Sequence, residues 1–332
     1  VVPRPWTLLG LPPLESDVLA RLLGDLPVEL VVPAERSAEA ARAAATTAEL
    51  VLGDWTGALG VTADVVAAAP QLAFVHQPSA GVDCIDVQAC AAAGVPVSNA
   101  GSSNSVSVAE WCVGAAFGVL RWLGYGDREM RAGGWPQFEI AERGGGELSG
   151  RRVGIVGMGR IGRECAVRFG ALGCDVAHWS RTRRDAADAG GATWLPLDEL
   201  LRRSDLLVIV IALAPGTVGL LGAAELKLLP PGAFLVDAAR GGIVDEDALL
   251  AALDTGAIAG AALDVYATEP LPLSSPLRTH DRVLLSPHAA GATRQAQARV
   301  VAGMVDNIRR AVSGEPVLDV VNGAPALIRR RA

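Results

Sequence analysis

Lysine is nearly missing from this chain: Lys227 is the sole lysine among 29 Lys and Arg in 332 residues, so almost every positive charge is an arginine. Codon bias of a GC-rich genome is the plain account of that count. Arginine's fixed planar fork still matters wherever it meets a carboxylate or a phosphate. Basic charge is also in deficit, 29 against 36 Asp and Glu, for a net charge of −7. That deficit argues against a dedicated nucleic-acid or anionic-membrane binder, whose surface needs surplus cations. The five cysteines (Cys84, Cys90, Cys112, Cys165, Cys174) form no CxxC pair and leave one over. The pattern suits reduced thiols packed as small hydrophobes, not a disulfide framework or a zinc site. No apolar run reaches the ~20 residues of a membrane span. The start, VVPRPWTLLG, lacks the charged-then-apolar form of a signal peptide. The expectation is a soluble cytoplasmic protein with no metal, membrane or nucleic-acid partner. With 51 % hydrophobic residues, disordered and fibrous classes are also excluded. At roughly 100–200 residues per domain, the length predicts two or three domains.

What is present is a double alternation. Short apolar runs at 6–10, 28–32, 49–52, 72–76 and 95–98 alternate with Ala-rich helical stretches. A long helix is predicted from Ser105 to about Leu123, then an irregular Gly-rich stretch over Gly124–Gly150. A second block begins at Arg151 with RRVGIVG, a helix to about Leu172 and CDVAHWS. It continues with LLVIVIAL (206–213), AFLVDAA (233–239), IAGAALDV (258–265) and RVLLSP (282–287). A last helix is predicted from Ala292 to about Ser313. Strands alternating with helices predict an α/β protein whose parallel sheets are covered on both faces.

The sharpest local motif is Gly157-Met158-Gly159-Arg160-Ile161-Gly162. It follows an apolar strand, Val153–Val156, and opens a helix, which is the context a dinucleotide site requires. Gly157 allows the tight turn, Gly159 lets the backbone approach a pyrophosphate, and Gly162 lets helix and strand pack closely. The N–H groups at the helix start, from Arg160 and Ile161 onward, then bind the anion. An NAD-selective site carries an Asp or Glu about 20 residues on, at the end of the next strand. Here that strand end reads His178-Trp179-Ser180-Arg181-Thr182-Arg183-Arg184. Ser180 stands where the acid would be, and Arg181 can grip a 2′-phosphate through charge-assisted bonds. NADP(H) is therefore the preferred cofactor, with NAD(H) possible.

Reducing a carbonyl by hydride needs a proton donor for the oxygen, and an acid substrate needs a cation for its carboxylate. Only His76, His178, His280 and His288 exist. His178 falls within a buried strand and His280 in a polar loop, whereas His288 follows a strand in SPHAAGAT. Arg240 follows another in VDAARGGIVDEDAL, and Glu269 a third in LDVYATEP. An acid beside His288 would orient the ring and favour its cation. Strand ends of a parallel sheet are where α/β ligands bind.

Taken together, PSAGVDCID, VPVSNAGSSNSVSVAE, VGIVGMGRIGRE, VDAARGGIVDEDAL, AALDVYATEP and SPHAAGAT resemble the D-isomer-specific 2-hydroxyacid dehydrogenase family, over nearly the whole chain. The resemblance implies two Rossmann-like α/β domains with a cleft between them. The substrate-binding domain would be discontinuous, 1–103 with 292–332. The dinucleotide-binding domain would span 104–291, with a dimerisation arm at 124–150. It further implies that Arg240 holds the substrate's carboxylate and keto oxygen, that His288 is the general acid/base, and that Glu269 pairs with His288. The backbone of Ala80 and Gly81 would bind the carboxylate, with Asn104 shaping that side of the pocket. Asp264 and Ala290 would lie on the cofactor side, Asp264 near the nicotinamide amide.

Three departures refine the picture. Ser180-Arg181 resembles the glyoxylate/hydroxypyruvate reductase branch, many members of which use NADPH. Ala80 fills a slot that is lysine in phosphite-oxidising relatives, which disfavours phosphite. Asp237 stands where relatives often carry Asn, and nothing in the sequence accounts for it. Trp135 and Phe138 are spaced to reach a partner subunit's pocket, although a plain dimer contact is the simpler reading. The sequence thus predicts a homodimeric NADPH-preferring reductase of a small 2-keto acid, reversible to the 2-hydroxy acid. The alternative of another class is a catalytically silent NAD(P)H-binding corepressor of the same fold, against which the intact Arg240, Glu269 and His288 set speaks.

Overall fold

In the computed structural model, which describes residues 4–331, the chain divides into two compact units. One comprises Val1–Asn104 with Arg294–Ala332, the other Ser105–Thr293. The first unit alternates β1 (Trp6–Gly10), α1 (Ser16–Leu23), β2 (Val28–Val31), α2 (Ala38–Ala45) and β3 (Leu50–Leu52), then α3 (Ala63–Ala68), β4 (Phe74–His76), α4 (Val87–Ala92) and β5 (Val97–Ser98). Its sheet has the order β2-β1-β3-β4-β5, and every pairing is parallel. Strands β3 and β4 are buried on both faces, so they read as unbroken apolar runs and not as alternating ones. The helices start where the sequence supplies caps. Ser37 Oγ accepts from Ala40 N, Thr62 Oγ1 from Val65 N, and Asp86 Oδ1 from Ala89 N.

The second unit begins with α5 (Ser105–Leu120), α6 (Leu123–Arg131) and α7 (Gln137–Glu142). There follow β6 (Arg152–Val156), α8 (Arg160–Ala171), β7 (Asp175–Trp179), β8 (Thr193–Trp194), α9 (Leu197–Arg203), β9 (Leu206–Ile209) and α10 (Ala223–Leu226). The unit closes with β10 (Ala233–Asp237), α11 (Glu246–Asp254), β11 (Ile258–Leu263) and β12 (Val283–Leu285). Its parallel sheet runs β12-β11-β10-β9-β6-β7-β8. The chain leaves β6 toward β7 on one side and returns on the other as β9. That reversal opens a crevice at the C-terminal ends of the strands, where ligands of open α/β sheets bind. One face of the sheet is covered by α5 and α8, which pack through Ala109, Cys112, Ala116 and Cys165. The opposite core holds Leu200, Leu207, Leu235, Leu249 and Leu253. Finally α12 (Arg294–Ser313) returns to the first unit, burying Met304, Ile308 and Ala311 against Leu8, Leu50 and Phe74.

Several expected boundaries move. The stretch 124–150 is not irregular, since it carries α6 and α7. Gly124 and Gly126 each cost about 1 kcal/mol in a helix and read as breaks. They persist because the Asp127–Arg131 pair (2.9 Å) supports the turn and Gly126 gives room to Ile140 of α7. The runs at 206–213, 233–239 and 258–265 stop as strands at Ile209, Asp237 and Leu263. Their apolar residues continue into the loops beyond, where the ladder ends but burial does not. Helix α8 starts at Arg160, within the glycine motif, and the last helix at Arg294 instead of Ala292. None of the five cysteines is in a disulfide; Cys90, Cys112 and Cys165 are buried, while Cys84 and Cys174 are half-buried at core edges.

Candidate active site

Gly157 leaves β6 with φ +106°, a conformation open to glycine, and its N–H bonds Trp179 O of β7 at 2.8 Å. A side chain on Gly162 would bring its Cβ within 2.1 Å of Gly157 O, so α8 approaches the turn as closely as backbone allows. Gly162→Ala should therefore push the helix off the turn. The expected cost is about 1–3 kcal/mol of overpacking, visible as a lowered Tm with weakened dinucleotide binding. At Gly159 an added Cβ would meet nothing within 4 Å, so the backbone there is open to an incoming group. Arg160 and Ile161 open the 12-residue α8, whose first-turn N–H groups have no acceptor within the helix. A pyrophosphate fits that arrangement of open backbone and oriented donors. Directly after β7, Ser180 Oγ bonds Thr182 O at 2.8 Å, Arg181 is exposed, and Arg183 lies over the Trp194 ring at 5.2 Å. No carboxylate stands between Trp179 and Arg184.

The three reactive candidates follow three neighbouring strands: Arg240 after β10, Glu269 after β11 and His288 after β12. His288 Nδ1 and Glu269 Oε2 are 2.7 Å apart. An ionised carboxylate can only accept, so Nδ1 carries the proton of that bond and Nε2 is left to face a substrate. Glu269 is itself held by Tyr266 N, which donates to Oε1 at 3.0 Å. The His288 backbone has φ +53°, uncommon outside glycine, and its N–H bonds Asp264 O at 2.8 Å. Asp264, 2 % exposed, fixes the same loop through its carboxylate. Oδ1 accepts from Ser286 Oγ (2.6 Å) and Ala289 N (2.8 Å), and Oδ2 from Ala290 N (2.8 Å). Asp264 and Ala290, expected on the cofactor side, are thus bonded to each other in a staple that holds His288 in its strained conformation. Tyr266 completes it, its hydroxyl donating to Ser286 O at 2.8 Å, and burial raises the phenol's pKa so that it stays a donor.

The other histidines are placed for different tasks. His178 is buried in β7 and burial lowers its pKa; His76 is buried in β4 and lowered to about 4, its Nδ1 3.0 Å from Ser98 Oγ. His280 pairs with Asp254 at 3.3 Å, ahead of β12. His288 alone follows a strand with its side chain 45 % exposed. Arg240 is half-buried, and its Nη1 bonds Ala239 O at 2.8 Å. Asp237, three residues earlier, is 3 % exposed, and burial pushes its carboxyl up to about 7. Tyr266 and Glu246, whose Oε1 accepts from Ala267 N, lie within LDVYATEP and VDAARGGIVDEDAL, but the sequence gives neither a role.

Ala80, Gly81 and Asn104 belong to the first unit. Ala80 and Gly81 lie in the loop after β4, where Asn99 Nδ2 bonds Ala80 O (2.6 Å) and Ser79 Oγ bonds Gly81 O (2.8 Å). The loop's carbonyls are thereby engaged, while no described group accepts from the N–H of either residue. Asn104 follows β5, its Oδ1 buried without a hydrogen-bond partner among the described residues. Trp135 and Phe138 of the second unit are 73 % and 75 % exposed. Among the described residues no cluster of His, Cys, Asp and Glu could hold a metal ion, and no single helix is long and apolar enough to cross a membrane.

Comparison with known proteins gives a consistent picture. A family profile described as "D-isomer specific 2-hydroxyacid dehydrogenase, NAD binding domain" matches residues 113–290, over half of the chain. The D-3-phosphoglycerate dehydrogenase of Mycobacterium leprae is 38 % identical over 263 residues, 79 % of this chain and 49 % of that protein. The chain thus spans about half the length of the curated relatives it matches. Among solved structures, the holo form of Rhodotorula graminis D-mandelate dehydrogenase superposes with a TM-score of 0.88 at 26 % identity, covering 98 % of this chain and 100 % of that one. A glyoxylate reductase from Paecilomyes thermophila gives 0.87 at 27 % identity, covering 96 % and 98 %.

Proposed function

Because the chain belongs to the D-isomer-specific 2-hydroxyacid dehydrogenase family, we propose that it reduces a small 2-keto acid of the glyoxylate or hydroxypyruvate type, reversibly and with NADPH preferred. The observation that carries this reading is the 2.7 Å His288–Glu269 pair after β12 and β11, with Arg240 following β10, the strand beside β11. When bound, the reduced nicotinamide supplies a hydride to the keto carbon. The chain's own groups do the rest. His288 Nε2 gives its proton to the oxygen as negative charge develops there, so the carbonyl becomes a hydroxyl with no net charge left behind. The transfer starts from a ring protonated on both nitrogens and leaves it neutral, with Glu269 accepting from Nδ1–H throughout and so orienting Nε2–H toward the oxygen. Arg240 takes the carboxylate and polarises the keto oxygen, a task that suits a permanently charged fork.

Cofactor choice rests on the tip of β7. Ser180 removes the carboxylate that would repel a 2′-phosphate, and Arg181 is exposed beside it to receive one. The expected kcat/KM ratio of NADPH to NADH is about 10–100, the worth of one charge-assisted hydrogen-bond pair. Arg181→Ala should lower that ratio by the same factor through NADPH alone. A wild-type preference for NADH overturns the cofactor reading but leaves the reductase reading standing. The exposed Trp135 and Phe138 on the α6–α7 segment support a homodimer, aromatics being favoured anchors of such surfaces.

A further inference from the structure

Asp237 ends β10, and Asp264 follows the adjacent β11; Asp264 N donates to Asp237 O at 2.9 Å. Two buried carboxyls thus end neighbouring strands. Asp264 accepts from three donors, Ser286 Oγ, Ala289 N and Ala290 N. Asp237 Oδ1 accepts from Ala239 N at 2.9 Å. Its other neighbours do little to stabilise a charge. Strand β9 is wholly apolar, α11 brings Glu246, and α5 brings Cys112, a thiol itself pushed up by its contact with Cys165, burial and these carboxylates. Only Arg240 and the Ala239 N–H favour ionisation, against burial, Asp264 and Glu246.

The same peptide joins Asp237 to Arg240. Ala239 gives its N–H to Asp237 Oδ1 and its carbonyl accepts from Arg240 Nη1. Beyond it, Gly241 lies so close to Tyr266 O that an added Cβ would stand 1.8 Å away, which pins the turn to the loop carrying Glu269. A change of charge at Asp237 is therefore felt at a guanidinium with little freedom to move away.

We propose that Asp237 is a positioning residue for Arg240. Uncharged, it makes no claim on the positive charge of Arg240; ionised, it draws that charge back into the protein. The inference rests on the keto-acid reading above. The test compares wild type with Asp237→Asn, which is uncharged at every pH and keeps an acceptor for Ala239 N–H. Asp237→Ser, whose hydroxyl can accept the same bond, guards against a folding defect in the first variant. The readout is the ratio of wild-type to variant KM for the keto acid, in which pH effects shared by the two proteins cancel. It is expected near one at pH 6 and about ten at pH 8.5, for roughly 1.4 kcal/mol of charge interaction. Thermal unfolding without substrate gives a second readout. The folded state holds the Asp237 proton up to about pH 7, while the unfolded chain has released it above about pH 4. Wild-type stability therefore falls across that window and the Asn variant's does not. The excess Tm of Asp237→Asn over wild type should grow by several degrees between pH 5 and pH 8. A KM ratio that does not change with pH overturns the inference while the reductase reading stands. Absence of any keto-acid turnover in the wild type overturns both.

Discussion

His288→Ala should lower kcat for keto-acid reduction about 10²–10⁴-fold, the usual contribution of a general acid. The argument is one of position. Of four histidines, two are buried within strands and one is paired with Asp254, so no other ring can replace the lost proton donor. The loss should fall on kcat more than on KM, because protonation of the oxygen belongs to the transition state. Dinucleotide binding should be unchanged, since the glycine turn is built from β6 and α8. The Ala side chain keeps the positive φ of residue 288, which the bonds from Asp264 still impose, so Tm should move little. Glu269→Gln tests the orienting partner. It keeps an oxygen for Nδ1–H but no charge, and should give a smaller loss than His288→Ala. Retention of wild-type kcat in His288→Ala sinks the assignment of the general acid.

The reason these residues could be found in the sequence is topological. In a parallel sheet the functional positions follow apolar runs, so Arg240, Glu269 and His288 each announce themselves as a charged or titratable residue after a strand. Gly157, Gly159 and Gly162 were legible for the same reason, being spaced between a strand and a helix. What the sequence hid is contact between loops. Asp264 and Ser286 are 22 residues apart, and Tyr266 and Ser286 are 20 apart. No periodicity reports such a bond, so the carboxylate of Asp264 stapling the His288 loop is visible only in the structure. Helix α6 is hidden by its two glycines, whose tolerance depends on the partner helix. Asp237 was noticed but unexplained, because its character comes from burial beside Asp264, and burial of a polar strand end is not a sequence property.

Arg240 carries the second large prediction, and the near-absence of lysine makes the substitution informative. Arg240→Ala should cut kcat/KM about 10²–10³-fold, some 3–4 kcal/mol, for the loss of a charged donor at the developing oxyanion. Both constants should suffer: KM because the carboxylate loses its cation, kcat because the keto oxygen loses its polarising group. Arg240→Lys separates charge from shape. A lysine keeps the charge but offers a point donor on a flexible stem instead of two parallel N–H bonds, so much of the loss should persist. The turn around residue 240 strengthens that expectation. With Ala239 bonded to Asp237 on one side and Gly241 packed against Tyr266 on the other, the backbone cannot shift to bring an ammonium into the guanidinium's place. Free guanidinium added to Arg240→Ala should restore part of the activity, whereas it should do nothing for His288→Ala. Equal activity of the Lys variant and wild type would mean that charge alone suffices, and the bidentate role of Arg240 would fall.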